Sequence, residues 1–454
     1  MMDQNGSIKK YNRGFLFIFI VLLALQGFTQ SMHDAVGNEF SLSQCISYAL
    51  SNQPLIKQSE IDEKIDIQNI RVALSAWYPQ LNAGADYQHY LKLPVSFFPD
   101  LNNPSGPKNK VSTGLLNTSL IQFSATQSIY TTELFFAGKT SRDLRTQANQ
   151  NLRNVRINTI VTVSKAFYDV LLTMKQLDVL DEDIQRLSRN YEDAYHLYQS
   201  GVTDKIDWQQ AMISLNNVKA QRKNADESIR AKYSTLKQLM GFPETGQLKL
   251  YYDSASITRE TLADTLEKPD YNNRIEYQLM KTGLKLQNEE VGYFRWSFLP
   301  SVSAFFNYNV LFQNDQFAQL YNLNFPYSWY GLKLSLPLFQ GASRWQNLKK
   351  AHLEVKRMEE GSRYLESQIW SEYEQALASY KSNYYSLQVA GTNIAIAREI
   401  YNTVNLQYNQ GIKPYLEVIV SETDLRTAQL NWLSALFQVL NSTLDLKKSL
   451  GEIN

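Results

Sequence analysis

Between Lys139 and Ser200 the chain contains neither glycine nor proline, the two residues that interrupt helices most effectively. Within this stretch Leu144, Ala148, Leu152 and Val155, then Leu177, Leu180, Ile184, Leu187, Tyr191, Ala194 and Tyr198, recur at three- or four-residue spacing. Such alternation keeps an apolar seam on one side of a helix and winds partner helices with a left hand. At ~1.5 Å per residue the helix runs on the order of 90 Å. A compact domain does not hold that length, so the helix is expected to project as a rod beside a partner. The pattern returns late in the chain at Leu365, Ile369, Tyr373, Ala376, Tyr380, Tyr384, Leu387, Ala390, Ile394, Ala397, Tyr401, Val404 and Tyr408.

That return belongs to a wider internal repeat. Trp77-Tyr78-Pro79-Gln80-Leu81 matches Phe298-Leu299-Pro300-Ser301-Val302, and Phe135-Phe136-Ala137-Gly138-Lys139 matches Leu338-Phe339-Gln340-Gly341-Ala342. Tyr198-Gln199-Ser200-Gly201-Val202 matches Tyr408-Asn409-Gln410-Gly411-Ile412, and Leu239-Met240-Gly241 matches Ser449-Leu450-Gly451. The chain is therefore expected to fall into two repeats, 30–241 and 271–454, joined by a linker over 242–270. The first repeat is read as helix Leu42–Trp77, a strand pair within 80–130, a long helix over 139–200 and a return helix over 205–240. The second is read as helix Arg274–Phe298, a strand pair within 301–338, a long helix over 342–410 and a return helix over 415–450. Gly201 and Gly411 are expected to end the long helices, and Pro414 suits the first turn of the helix that follows.

The strand segments alternate. Leu81, Ala83, Ala85, Tyr87, Leu91 and Leu93 interleave with Asn82, Gly84, Asp86 and Gln88; Ile121, Phe123, Ala125 and Ile129 interleave with Gln122, Ser124 and Ser128. Val302, Ala304, Phe306, Tyr308, Val310 and Phe312 line one face, and Tyr330, Leu332, Leu334, Leu336 and Leu338 another. Each run has the length of a tilted transmembrane strand. Phe97, Phe98, Phe317, Tyr321, Phe325, Tyr327, Trp329 and Tyr330 crowd the turns like an interfacial girdle. The connections Pro94–Thr113 and Gln313–Ser328 read as external loops. Four strands cannot close a membrane barrel, whose smallest examples have about eight, and open sheet edges are not tolerated in lipid. Strands that span a membrane here must be pooled between copies of the chain.

Composition narrows the function. Lys and Arg number 45 against 44 Asp and Glu, a net charge of +1, whereas phosphate-driven nucleic-acid binders are basic. Cys45 stands alone, so neither an intrachain disulfide nor a thiolate metal cluster is available, and it reads as a buried small apolar residue. No phosphate-binding, metalloprotease, nucleophile-elbow or dinucleotide motif occurs. An enzyme is not indicated, nor is a cofactor or a metal. Lys9, Lys10 and Arg13 precede an apolar run from Phe15 to Leu25, followed by Gly27 and Thr29. This is the layout of a secretory signal peptide over residues 1–29. After Phe28 no stretch is apolar enough to span a bilayer as a helix, so membrane insertion of the exported chain requires strands.

The ordered repeats, the helix-ending Pro79 and Pro300 and the two Tyr-x-x-Gly turns together resemble the TolC-type outer membrane factor family over essentially the whole mature chain. That resemblance implies a mainly α fold with a membrane β-barrel portion: long antiparallel coiled-coil helices forming an α-barrel, and four strands per chain in a trimeric twelve-stranded barrel. It implies a homotrimer in the outer membrane with a large periplasmic portion, acting as the passive exit duct of tripartite efflux or type I secretion. The partners implied are a periplasmic adaptor and an inner-membrane pump, with outer membrane lipid around the barrel. Adaptor docking falls on Tyr198, Gly201, Val202 and Ile206 at the first turn, and on Tyr408, Gly411, Ile412 and Leu416 at the second. The family's gate maps onto Asp207, Tyr408, Lys413 and Glu417, with Lys413 tied to Asp207. Val420 stands where the family often carries a second acid, which leaves Glu417 alone to form an acidic ring. The alternative reading of the same helices is an exported coiled-coil scaffold without a pore.

Overall fold

The computed structural model describes residues 39–99, 108–252, 260–263, 265 and 267–453. The expected signal peptide lies outside them. The chain divides into two compact units. One comprises the described residues up to Ala49, Val163–Glu260 and Ile394–Ser434; the other comprises Leu50–Thr162, Thr261–Asn393 and Ala435–Asn454.

The second unit holds the sheet. Strands β2 (Gln80–His89), β5 (Asn117–Tyr130), β7 (Ser301–Asn314) and β8 (Phe325–Ser335) lie in the order β2-β5-β7-β8, and every neighbouring pair is antiparallel. The register carries Leu81 to Ala125, Phe306 and Tyr330, and Ala83 to Phe123, Tyr308 and Ser328. Residues in register share a face, so the apolar sets of all four strands form one continuous surface. Leu81, Phe123, Phe306, Tyr330, Leu332 and Leu334 on it are exposed. The opposite face carries Asn82, Ser124 and Asn307 in one row and Gly84, Gln122 and Asn309 in the next. The outer strands β2 and β8 are hydrogen-bonded on one side only, and nearly every residue of both is exposed.

Several expectations change. The sequence pattern groups Phe325, Tyr327 and Trp329 with Tyr330 in the girdle, but the register sets Trp329 against Asn307 and Tyr327 against Asn309, on the polar face. The rings of Tyr327 and Trp329 stack there at 5.6 Å and 10°. Gly331 also belongs to this face, because a Cβ on it would stand 2.9 Å from the Phe305 ring. Ile129 falls at a bulge between Ser128 and Tyr130, which removes it from the alternation. Leu91, Leu93, Leu336 and Leu338 lie beyond the ends of β2 and β8. The connection Pro94–Thr113 is not wholly loop, since strands β3 (Val95–Phe98) and β4 (Asn109–Ser112) pair within it as a separate ribbon.

The helix expected over Leu42–Trp77 is two helices, α1 (Leu42–Asn52) and α2 (Pro54–Leu74), followed by a 3₁₀ turn at Ser75–Trp77. Pro54 cannot donate within a continuous helix; Gln53 is extended and caps the new start by accepting from the Ile56 N–H at 3.1 Å. Helix α3 (Thr132–Gln199) begins seven residues earlier than its seam suggested and runs through Gly138. Its capping group is Thr131, whose Oγ1 accepts from the Leu134 N–H. Gly138 and Gly341 therefore differ in structure despite the matching motifs. Gly341 and Ala342 both take positive φ and turn the chain before α6 (Ser343–Asn409). Helices α4 (Lys205–Met240) and α7 (Tyr415–Leu450) have the bounds their patterns give, and α5 spans Ile275–Trp296.

In the second unit, Tyr373, Ala376 and Tyr380 of α6 pack on Val439, Leu446 and Leu450 of α7. The Tyr380 hydroxyl donates to the Thr261 carbonyl at 3.0 Å and accepts from the Ala263 N–H at 3.1 Å, clamping the linker to the helix pair. In the first unit, Leu180 and Leu187 of α3 pack on Leu215 and Val218 of α4. There β1 (Glu39–Phe40) pairs in parallel with β6 (Lys249–Leu250), and the Phe40 ring meets Tyr48 of α1 at 6.0 Å. Cys45 is fully buried in α1, and burial pushes its thiol up to about 12, so it packs and does not react. Removing the Tyr380 hydroxyl by Tyr380→Phe is expected to destabilise the fold by about 1–2 kcal/mol, read as a lower thermal midpoint with unchanged strand content by circular dichroism.

Candidate functional site at the helical turns

The turns after α3 and α6 share one geometry. Gly201 takes φ 74° and Gly411 φ 73°. The Gly201 N–H bonds to the Tyr198 carbonyl at 3.0 Å and the Val202 N–H to the Leu197 carbonyl at 2.9 Å. The second turn repeats this, Gly411 to Tyr408 at 2.8 Å and Ile412 to Gln407 at 2.9 Å. Each is a Schellman motif, in which a left-handed glycine lets two N–H groups fold back onto the last free carbonyls. The motif usually sets an apolar contact under the residue after the glycine. Here Val202 and Ile412 stand outward instead, 69% and 65% exposed. Ile206, Leu416 and Val420 in the following helices are also more than half exposed, so each turn ends in an apolar surface.

Beneath that surface aromatic rings stiffen the turns. Trp208 opens α4 and meets Tyr191 at 6.4 Å, Tyr195 at 5.8 Å and Tyr198 at 6.0 Å. Tyr408 meets Tyr415 at 5.4 Å. Tyr415 and Val418 of α7 are buried together with Ala194 of α3 and Ala211 of α4, and Tyr401, Val404 and Tyr408 of α6 pack on them. Four helices thus share one small core, and the alanines let them approach closely.

The residues expected to form the gate fall into two groups. Lys413 Nζ donates to Glu417 Oε2 at 2.6 Å, one turn on in the same helix start. Both side chains are partly exposed, so the pair contributes about 0.5 kcal/mol or less. Within the chain Lys413 is thus tied to Glu417, not to Asp207. Asp207 sits beside Tyr408: after burial, the Asp207 charge is the next cause that raises the Tyr408 phenol. Burial, then the charge of Asp204, raises Asp207 itself. Raised above its ordinary value, Asp207 loses stabilisation as pH climbs through its titration.

Sequence reasoning missed a set of charges deeper in the same unit. Asp183, Arg186, Glu422 and Arg426 join α3 to α7 in a cluster whose two acids are buried and whose arginines are partly exposed. The signal was available, because Asp183 and Arg186 lie three apart and Glu422 and Arg426 four apart, each pair on one helical face. Among the described residues no group of three or more His, Cys, Asp and Glu is placed to hold a metal ion, and no helix is long and apolar enough to cross a membrane.

Comparison with known proteins agrees with this architecture. The model of the outer membrane efflux protein family matches residues 45–242 and 278–452, and the chain belongs to that family. It is 21% identical to the outer membrane protein TolC of Salmonella enteritidis over 451 residues, covering 97% of this chain and 86% of that protein. The solved channel CusC superposes with a TM-score of 0.73 at 17% identity, covering 92% of this chain and 95% of that one. The Campylobacter jejuni channel CmeC does so at 0.70 and 15% identity, covering 93% and 90%. The fold is therefore that of an outer membrane efflux channel. Of the two readings the sequence left open, the channel is the one this membership supports. Replacing Gly201 or Gly411 by alanine meets no neighbouring atom but strains the left-handed backbone. Each change is expected to cost ~1 kcal/mol, measured as a lower thermal midpoint.

Proposed function

We propose that three copies of this chain form one closed duct, a twelve-stranded barrel continued by helices. In this reading a periplasmic adaptor docks on the turns, an inner-membrane pump supplies the energy, and cargo leaves through a passive water-filled path. The observation that carries the reading is the sheet. Its apolar face is exposed, its other face is largely polar, and its two outer strands have unpaired edges. In hydrocarbon every backbone group needs an internal partner, and four strands are too few to close on themselves. With four strands in strict alternation, β2 and β8 run in opposite directions. The β8 edge of one copy can therefore pair antiparallel with the β2 edge of the next, and repetition closes the ring without a parallel junction.

Exposed apolar side chains outside the sheet support the same association. Ile61, Ile65 and Val72 recur along α2, and Tyr385, Val389, Ile396 and Ile400 along α6, all largely exposed in the single chain. Their spacing is that of a helix face awaiting another helix. The adaptor reading rests on Val202, Ile206, Ile412 and Leu416 at the turns, where Tyr198, Gly201, Tyr408 and Gly411 fix the backbone. The gate is assigned to Asp207 with Tyr408 and to Lys413 with Glu417, weak partly exposed contacts that binding at the turns can displace.

Full-length protein purified in detergent is expected to migrate as a heat-dissociable trimer and to give single-channel currents in planar bilayers. A monomer soluble in plain buffer, with no current, would sink the channel reading. Lys413→Ala combined with Asp207→Ala is expected to raise the conductance of the reconstituted pore, and an unchanged conductance removes both residues from the gate.

A further inference from the structure

Counting Asp, Glu, Lys and Arg, the four strands of the sheet carry two charged side chains between them: Asp86 in β2 and Lys333 in β8. They have opposite signs, and they stand on the two outer strands, whose far edges are unpaired. They also share a face. Asp86 is two residues from Gly84 and Lys333 two from Gly331, both on the polar side. Both are exposed, and among the described residues neither side chain has an ion pair or hydrogen bond within the chain.

The apolar row of β8 also outruns its partner strand. Leu332 and Leu334 lie in the ladder with β7, which stops at Ser335 because Ser301 opens β7. Leu336 and Leu338 continue the same alternation beyond that point, and Leu338 is 90% exposed. The prolines say which residues face the open edge. Pro326 stands in the ladder opposite Val310, and a proline fits a strand where its missing N–H is not needed by the neighbour. Alternate residues of a strand bond to each side, so the even-numbered residues of β8 turn their N–H groups to the free edge. Pro337 is odd-numbered and leaves no gap there.

We propose that Lys333 of one copy stands opposite Asp86 of the next across the β8–β2 junction, and that this ion pair selects the register in which identical copies join. This rests on the channel reading above. Counting antiparallel from that pair, Leu336 meets Ala83 and Leu338 meets Leu81 of the next copy, so the overrunning leucines gain neighbours on the apolar face. With the even-numbered residues of β8 bonded across the junction, Lys333 and Asp86 form a non-hydrogen-bonded pair, the kind whose side chains lie closest. A slip of one residue turns the leucines to the polar face. A slip of two leaves the charges diagonal, about 7–8 Å apart. An ion pair that faces water adds little strength; its part is to choose among the registers that the leucines alone allow.

The native thiol of Cys45 is fully buried, so introduced cysteines report alone. Full-length protein in detergent carrying Lys333→Cys with Asp86→Cys is expected, after mild oxidation, to run as covalent dimers and trimers on a denaturing gel without reductant, whereas neither single variant does. Lys333→Cys with Gln80→Cys, about 20 Å along the strand from the proposed partner, should stay uncrosslinked. Lys333→Cys with Gly84→Cys or with Gln88→Cys reports slips of two residues, and a stronger cross-link in either overturns the register. The charges are tested separately. Lys333→Asp and Asp86→Lys should each lower the temperature at which the trimer dissociates, and the two together should restore it, with the effect shrinking at 1 M salt, where screening acts within about 3 Å. A double variant no better than the single ones overturns the ion pair. A trimer that forms without the 333–86 cross-link overturns this proposal alone; a wild type that never associates overturns the channel reading and the junction with it.

Discussion

Unpaired backbone in hydrocarbon is the constraint on which this molecule turns. The sheet of β2, β5, β7 and β8 is complete in its interior and open at both sides, and its apolar face asks for lipid. Those two properties conflict in a single chain, because lipid tolerates no free edge. With an even number of strictly alternating strands, the outer strands are oriented so that antiparallel pairing with identical neighbours, the association proposed above, would resolve the conflict. The exposed helix faces on α2 and α6 then have the same explanation as the open edges.

The helical part follows a different logic. Long seams hold α3 against α4 and α6 against α7, with Leu187, Leu215, Val218, Tyr373, Tyr380 and Leu446 buried along them. Close to the turns the side chains become small and aromatic, Ala194 and Ala211 beside Tyr415, and the charges of Asp183 and Glu422 enter the interior. Continuous apolar packing gives strength; fully paired buried ions fix the register of the helices they join. The chain thus changes its kind of packing toward the ends of the hairpins.

Most of this was legible in the sequence where a single periodicity rules. Helices α4 and α7 were bounded by pattern and by their left-handed glycines, and the apolar faces of the strands by alternation. What failed shared a physical cause: a local signal read without its neighbours. The stretch free of glycine and proline puts the start of the long helix at Lys139, yet Thr131 caps the helix upstream and carries it through Gly138. As aromatic residues Trp329 and Tyr327 read as girdle, and only the register with Asn307 and Asn309 shows which way they face. The Asp183–Glu422 cluster escaped because each acid looks solvated within its own helix, and burial arises only when α3 and α7 meet.

The stacked rings on the polar face have a consequence for whatever moves along it. Across one chain that face passes from the amides and hydroxyls of Asn82, Gln122 and Ser124 to the indole and phenol of Trp329 and Tyr327. In the ring of identical copies proposed above, the lining would therefore be striped, hydrogen-bonding sectors alternating with aromatic ones. A small solute would meet both kinds of patch within one circumference, and a large one would bridge them. In the ring proposed above, such a lining would offer hydrogen-bonding and aromatic contact in turn, and neither of them continuously.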